Sequence, residues 1–503
     1  MPLALFNSIT SWFLKRRIAQ IEQFTSNPHQ TQERVLSELL NAAKSTRIGE
    51  SYGFSTVKNY EQFVKNTPVV TYEAFEPFIE QARKGQRNIF WNTPIKWFAK
   101  SSGTTNAKSK FIPVSEEALQ HCHYKSGKDM LCLYLNNNEN SNLFKGKSLR
   151  LGGSKELYEE NGTYFGDLSA ILIENLPFWA EFSCTPSNKV SLMSEWETKL
   201  QAIIKEAKNE NVTSMAGVPS WMLVLLNRVL EDVGKENLLE LWKNLEVYFH
   251  GGVSFVPYRE QYKQLIPSGA FRYYEIYNAS EGFFAIQDRN NSDELLLMLD
   301  YGIFYEFIPM DTFGTNREKV IPLWEVEPGK NYAMVISTNS GLWRYLIGDT
   351  VRFTSTSPYR IKITGRTKHF INVFGEELII ENTEKALEKA CQLTHSELID
   401  YTVAPIFMQD KLKGGHEWII EFSKPPQSIE KFTEILDAEL QKLNSDYEAK
   451  RYNNMTLNMP KIHVARHNLF HDWLKEKGKL GGQNKVPRLS NSREYIEELL
   501  KIQ

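Results

Sequence analysis

The segment 101–110 concentrates hydroxyl side chains, a glycine and two ammonium groups in ten residues: Ser101, Ser102, Gly103, Thr104, Thr105, Lys108 and Lys110 among them. Hydroxyls and free backbone N–H groups in such a turn make an anion-binding concavity. Gly103 permits positive φ and close backbone approach. Lys108 or Lys110 adds a point charge for a phosphate. The G-x-x-x-x-G-K-[ST] pattern is absent, so a standard P-loop NTPase is not implied. An ordinary Ser/Thr-rich surface loop has the same composition, so this segment does not decide by itself.

Two further segments offer complementary chemistry. Tyr277, Ser280 and Glu281 stand within five residues. An aromatic face stacks a base, a serine hydroxyl donates to phosphate, and a carboxylate is a hard ligand for magnesium. A plain structural turn uses the same residues. Later, Tyr345, Gly348 and Asp349 end a strand-like run. An Asp past a glycine turn accepts hydrogen bonds from vicinal ribose hydroxyls, or caps its own turn.

Helices dominate the chain up to about Lys84. The pattern predicts a strand at 95–99 that runs into the 101–110 loop. Pro219 and Ser220 open a stretch at 221–226 that is apolar on every side, as in a wholly buried helix, and Gly234 closes it. Strands are expected at 295–299, 303–308 and 332–337, with Pro328-Gly329 as a turn. Past Gly365 a smaller αβ unit is expected: helix 384–391, strands 402–407 and 418–422, helix 430–443. The polar run 135–142 reads as an exposed loop. The tail 478–488 is Gly-rich with a cationic end.

Composition sets the frame. The 503 residues exceed one ordinary core, so two or more domains are expected. With 59 Lys plus Arg against 61 Asp plus Glu, net charge -2, no basic surplus exists for nucleic-acid binding. The four cysteines form no C-x-x-C pair, which fits free thiols in a reducing compartment. Lys15, Arg16 and Arg17 follow the first apolar stretch, the wrong order for a secretory signal. No apolar run is long enough to span a bilayer. The expectation is a cytoplasmic protein with no membrane partner; nothing in the pattern sets an oligomeric state.

In order and spacing, these segments resemble the acyl-adenylate-forming superfamily. The 101–110 loop is similar to its phosphate-binding motif, with Asn106 where many members have Gly. Tyr277 to Glu281 resembles the aromatic–x–x–Ser/Thr–Glu motif and Tyr345 to Asp349 the Tyr–x–x–Gly–Asp motif. Gly365, Arg366, Thr367 and Lys368 resemble the Gly–Arg–x–Lys element before the small domain. More narrowly, Ser101 to Thr105 leading to Lys110, Phe111, Ile112 and Pro113, with Gln483 to Arg488 near the end, resembles the Gretchen Hagen family. These are acyl-acid amido synthetases, known in plants as auxin-responsive proteins. Plant members usually carry an aromatic where this chain has Asn484. The length and the segment 365–377 are similar to a shorter, non-plant version.

The resemblance implies an α/β fold: a large N-terminal adenylate-forming domain (1–365), its sheets packed by helices and joined by a β-rich subdomain, then a smaller mobile C-terminal α+β domain (366–503). It implies activation of a carboxylic acid with ATP and Mg2+ to an acyl-adenylate, then transfer to an amine such as an amino acid. Transfer to coenzyme A, or nucleotide binding without catalysis, are the competing expectations. By resemblance, Ser101, Ser102, Gly103, Thr104, Thr105 and Lys110 hold the β- and γ-phosphates. Glu281 ligates magnesium and Ser280 meets the α-phosphate. Tyr277 contacts adenine, bordered by Gly251, Gly252 and Val253. Asp349 binds ribose, with Arg366 nearby. Lys485 bridges the carboxylate and the α-phosphate, and Lys368 with His369 form the hinge. Ser169 and His471 are candidates near the amine site, His471 as a base. Trp179, Phe182, Trp221, Met222, Phe283 and Phe284 are candidates for the acyl pocket or for core packing.

Overall fold

The computed structural model describes residues 3–101, 110–152, 158–176, 178–253, 255, 258–367, 370–376, 378–408, 413–452, 456–477 and 486–503. Ser102, Gly103, Thr104, Thr105, Lys368, His369 and Lys485 lie outside the described residues, as does the side chain of Trp179.

The opening of the chain is helical, as its periodicity predicts. Helix Pro28–Ala43 starts on a proline, whose missing N–H is no loss in a first turn. It buries Val35, Leu36, Leu39, Leu40 and Ala43 along one face. Helix Tyr72–Arg83 buries Tyr72, Phe75, Ile79 and Ala82, a three-and-four spacing that makes one apolar stripe. Strand Trp97–Ser101 then pairs antiparallel with Lys110–Val114, Ser101 facing Lys110. The two ends of the 101–110 loop are therefore held side by side. On its other edge Trp97–Ser101 runs parallel to Thr163–Gly166.

Twelve strands among the described residues form the main sheet. Strands Cys184–Thr185, Lys147–Arg150, Val212–Gly217, Val247–His250 and Arg272–Ala279 are mutually parallel neighbours. At Arg272–Ala279 the pattern reverses. That strand is parallel to Val247–His250 on one side and antiparallel to Gly282–Ile286 on the other. The antiparallel half continues through Leu295–Leu297, Tyr359–Arg366, Tyr345–Thr356, Asn331–Thr338, Ile303–Pro309 and Ile321–Pro322. Gly282–Ile286 and Leu295–Leu297 are buried at every position, which fits their unbroken apolar runs.

Past Gly365 the strands and helices form a smaller α+β arrangement. Strands Glu397–Ile406, Gly415–Lys424 and Lys461–Val464 form a three-stranded sheet, with helices Ile380–Thr394 and Ile429–Leu443 packed together on it. One apolar core crosses from the large part into this unit. It joins Met222, Tyr258 and Tyr262 to Val373, Phe374, Leu387, Trp418 and Leu436. The Tyr258 hydroxyl donates to the Val373 carbonyl at 2.8 Å, and the Lys450 ammonium sits 4.2 Å from the Trp221 ring centre.

Two expectations need correction. Helix Pro219–Val233 is not wholly buried: Trp221, Val224 and Asn227 lie on a partly open side while Met222, Leu225, Leu226 and Val229 are buried. Asn227 and Arg228 interrupt the apolar run and mark that side. The polar run at 135–142 is not a free loop either. Helix Tyr124–Asn137 extends into it, and Asn137 and Asn138 bond to Tyr274, Asp288 and Asn290. No described helix is long and apolar enough to cross a membrane.

Candidate active site

In open α/β sheets ligands bind outside the carboxyl ends of the parallel strands. Here that place is the far end of Arg272–Ala279. The strand turns into Gly282–Ile286 through a connection of two residues, Ser280 and Glu281, because Ala279 pairs with Gly282. Both sit at the tip of a tight hairpin. The register slips at Phe284, so Tyr277 faces Ala285 while Asn278 faces Phe283.

Tyr277 is buried, 5 % exposed. Its hydroxyl donates to Asp349 Oδ2 at 2.7 Å, and its ring packs on Phe284 at 4.8 Å. Arg366 donates through Nε to Asp349 Oδ1 at 2.7 Å. Asp349 and Arg366 are also strand partners in register. Three residues, Ile347, Gly348 and Asp349, stand opposite the single residue Met334 between ladder pairs, a bulge with Gly348 at φ 95°. Bulges re-aim side chains, and this one turns Asp349 towards Tyr277. The Gly348 carbonyl accepts the Thr367 N–H at 2.8 Å, which fixes the chain at the junction of the two units.

Glu281 is half-buried. Burial pushes its carboxyl up to about 7, against the attraction of Lys110 and Arg366; Asp349 adds to the rise. No ion pair satisfies this carboxylate among the described residues. Lys110 lies 5.4 Å from the centre of the Tyr72 ring. The Tyr72 hydroxyl accepts the Phe111 N–H at 2.9 Å and so pins the exit of the loop. Lys110, Asp349 and Arg366 thus all act on Glu281, from segments up to about 170 residues away.

The glycines at the end of Val247–His250 have a steric reason. A Cβ on Gly251 would stand 2.5 Å from the Ile276 carbonyl oxygen, so glycine lets this segment lie against the Tyr277 strand. Gly252 has φ 83°, and Val253 is buried beside it. Ser101 and Ser280 are half-buried.

Other candidates part company. Phe283 is buried near Tyr301. Phe284 and Met222 are fully buried core residues. Phe182 is 73 % exposed and lies on the surface. Trp221 is occupied at the junction with Lys450. Ser169 lies half-buried in helix Leu168–Glu174. That helix follows Thr163–Gly166, whose Gly166 pairs with Ala99 of the loop-bearing strand. His471 is a surface residue of helix Leu469–Glu476 beside Asp472. Motifs alone did not point to Tyr72, which pins the loop exit, to the fully buried Tyr345 within electrostatic reach of Glu281 and Arg366, or to the buried Arg344–Glu306 ion pair that precedes it. Tyr345 carried a signal, since it opens the Tyr–x–x–Gly–Asp motif; Tyr72 carried none.

Residues 17–271 match the GH3 family N-terminal domain, 296–366 the GH3 family central domain and 381–494 the GH3 family C-terminal domain. Among similar proteins is indole-3-acetic acid-amido synthetase GH3.4 of Arabidopsis thaliana, 23% identical, covering 93% of this chain and 90% of that protein. Another is jasmonoyl-L-amino acid synthetase JAR6 of Nicotiana attenuata, 21% identical over 94% and 92% of the two chains. The fold is similar to that of AtGH3.15 acyl acid amido synthetase in complex with 2,4-DB, with TM-score 0.63, 18% identity and 97% and 96% coverage. It is also similar to 2-hydroxyisobutyryl-CoA ligase in the thioesterification state, with TM-score 0.58, 12% identity and 95% and 93% coverage. With the first of the three domains alone spanning more than half of the sequence, the chain belongs to the GH3 family.

Proposed function

We propose that this chain is an acyl-acid amido synthetase: it activates a carboxylic acid with ATP as an acyl-adenylate and passes the acyl group to an amine. The observation that carries this reading is the meeting of Lys110, Glu281, Asp349 and Arg366 at one end of the sheet. Relatives named indole-3-acetic acid-amido synthetase, jasmonoyl-L-amino acid synthetase and 4-substituted benzoates-glutamate ligase support an amide product, and the last two an amino acid as acceptor.

A carboxylate is a poor acyl donor because its leaving group is oxide. Joining it to AMP supplies a better one, but the carboxylate oxygen and the α-phosphate repel each other. Preorganised donors in a water-poor site offset that repulsion. Asp349, steadied by Tyr277 and Arg366, has acceptor capacity left for the ribose hydroxyls. Ser101 and Lys110, with Ser102, Gly103, Thr104 and Thr105, would hold the β- and γ-phosphates. Ser280 would meet the α-phosphate, and Gly252 and Val253 would border the base.

A half-buried carboxylate with no ion pair among the described residues, its pKa raised by burial, gains from a cation beside it. Among the described residues no group of three or more His, Cys, Asp or Glu forms a metal cage. Glu281 would therefore hold Mg2+ together with the phosphates, and the ion would neutralise their charge. Lys485 would approach the acid and the α-phosphate, with Lys368 and His369 absorbing the movement of the 366–503 unit against 1–365. The four free thiols suit a reducing, cytoplasmic setting.

The test is acid-dependent exchange of labelled pyrophosphate into ATP, then product mass with amino acids and coenzyme A offered side by side. An amide and AMP are expected. Lys485→Ala should lower exchange by about 10²–10³-fold with the fold intact. Exclusive thioester formation, or no exchange with any of a broad acid panel, would defeat the reading.

A further inference from the structure

Tyr345 begins strand Tyr345–Thr356, four residues before Asp349. It is fully buried, and its hydroxyl has no hydrogen-bond partner among the described residues. A buried polar atom left unpaired is costly and rare in native folds. Glu281, Tyr72, Glu73 and Arg366 all lie within electrostatic reach of this phenol. It therefore borders the site described above rather than a remote part of the core.

The backbone that aims it is strained and held from several sides. Arg344, the residue before it, has φ 42°, a left-handed conformation that side chains other than glycine rarely adopt. Its guanidinium is clamped by Glu306 at 2.9 Å and by the Thr67 carbonyl at 2.7 Å. Its N–H donates to Ser337 Oγ at 2.9 Å. The Arg344 carbonyl accepts from Val70 N–H at 3.0 Å, and Leu346 N–H donates to the Val70 carbonyl at 2.9 Å. Such strain persists where surrounding structure over-determines it, and it gathers at ligand sites.

We propose that the Tyr345 hydroxyl is a ligand-binding donor, giving its hydrogen bond to an anionic oxygen at the reacting centre: one on the nucleotide's phosphate or one on the acid's carboxylate. Burial and the Glu281 carboxylate hold the phenol well above its ordinary pKa, so it stays protonated and able to donate. Arg366, within electrostatic reach of the same phenol, offsets part of the negative charge of Glu281 and Glu73 and is the cation that would share an anionic acceptor with it. This assignment rests on the adenylating reading of the site, but its binding arm does not need turnover.

The experiment is Tyr345→Phe in the full chain, which removes one oxygen and keeps the ring. The free protein should melt at the wild-type temperature or slightly above, since no internal bond is lost. Pyrophosphate exchange should fall about 10- to 100-fold, the usual effect of losing a hydrogen bond to a charged group. Weaker Mg-ATP binding by calorimetry assigns the acceptor to the nucleotide; a raised KM for the acid alone assigns it to the carboxylate. Unchanged Mg-ATP affinity together with unchanged exchange would overturn the proposal. So would a melting temperature lowered as by a lost internal bond. If wild type shows no exchange with any acid while Tyr345→Phe weakens Mg-ATP binding, the donor role stands and the amido-synthetase reading fails. If wild type shows no exchange and Mg-ATP binding is unaffected by the substitution, the donor role fails too.

Discussion

The Tyr277 hydroxyl donates to Asp349 Oδ2 across 2.7 Å, although three strands separate their two strands in the sheet order. The bond thus records how strongly the antiparallel half curls. Twist accumulated strand by strand closes such a sheet on itself. Two motifs 72 residues apart are joined directly by this bond.

Removing that hydroxyl should be felt in both stability and binding. Tyr277→Phe takes one of the two fixings from a buried carboxylate while Arg366 keeps the other. A loss of about 1.5–3 kcal/mol is expected, as for hydrogen bonds to charged groups. Urea unfolding measures the first effect and an ATP titration the second. Unchanged values in both would mean that Asp349 is positioned by Arg366 alone.

Arg344 and Glu306 form a buried ion pair, 4 % and 0 % exposed at their side chains. Tyr60 also donates to Glu306, at 2.8 Å. Glu306→Ala would leave the guanidinium buried without its carboxylate and should cost about 3–5 kcal/mol. Because the pair also holds the φ 42° turn, pyrophosphate exchange should drop further than the folded fraction explains. An exchange rate that simply tracks the folded fraction would limit the pair to stability.

Acid stability should depend on Glu417. Burial alone would raise its carboxyl, but hydrogen bonds from Lys461, His463 and Arg493 outweigh this and bring it from 4.5 down to about 2. A depressed carboxyl binds its proton less readily in the fold than in the unfolded chain. Its contribution is therefore full above about pH 4.5 and lost as pH falls towards 2. Melting curves of wild type and Glu417→Gln should differ above pH 4.5 and converge near 2. A gap that stays constant with pH would contradict this.

Much of the fold was legible in the residue pattern. Period and punctuation located the strands at 295–299, 303–308 and 332–337, observed as Leu295–Leu297, Ile303–Pro309 and Asn331–Thr338. The helix expected at 430–443 is Ile429–Leu443, capped by the Ser428 side chain. Motif chemistry pointed to Glu281, Asp349 and Arg366, which the fold brings together. What stayed hidden depends on long-range geometry. No local spacing announces that Tyr72 pins Phe111, or that Glu306 clamps a strained Arg344. Phe182 and His471 illustrate the converse: an aromatic and an imidazole with suitable chemistry, yet on the surface. Residue type states what a group can do; only topology states where it does it.

Tyr258 and Val373 belong to one continuous apolar cluster that bridges both units. Cutting the chain near Gly365 would therefore not release two tidy modules. Each half would carry a greasy wound, the larger one around Tyr258 and Tyr262, the smaller around Val373 and Phe374. Exposed apolar patches of that kind drive aggregation, so the halves should keep in solution only when made together. Any swivel of the smaller unit must likewise trade this contact for another of similar character, which makes its resting places few and discrete.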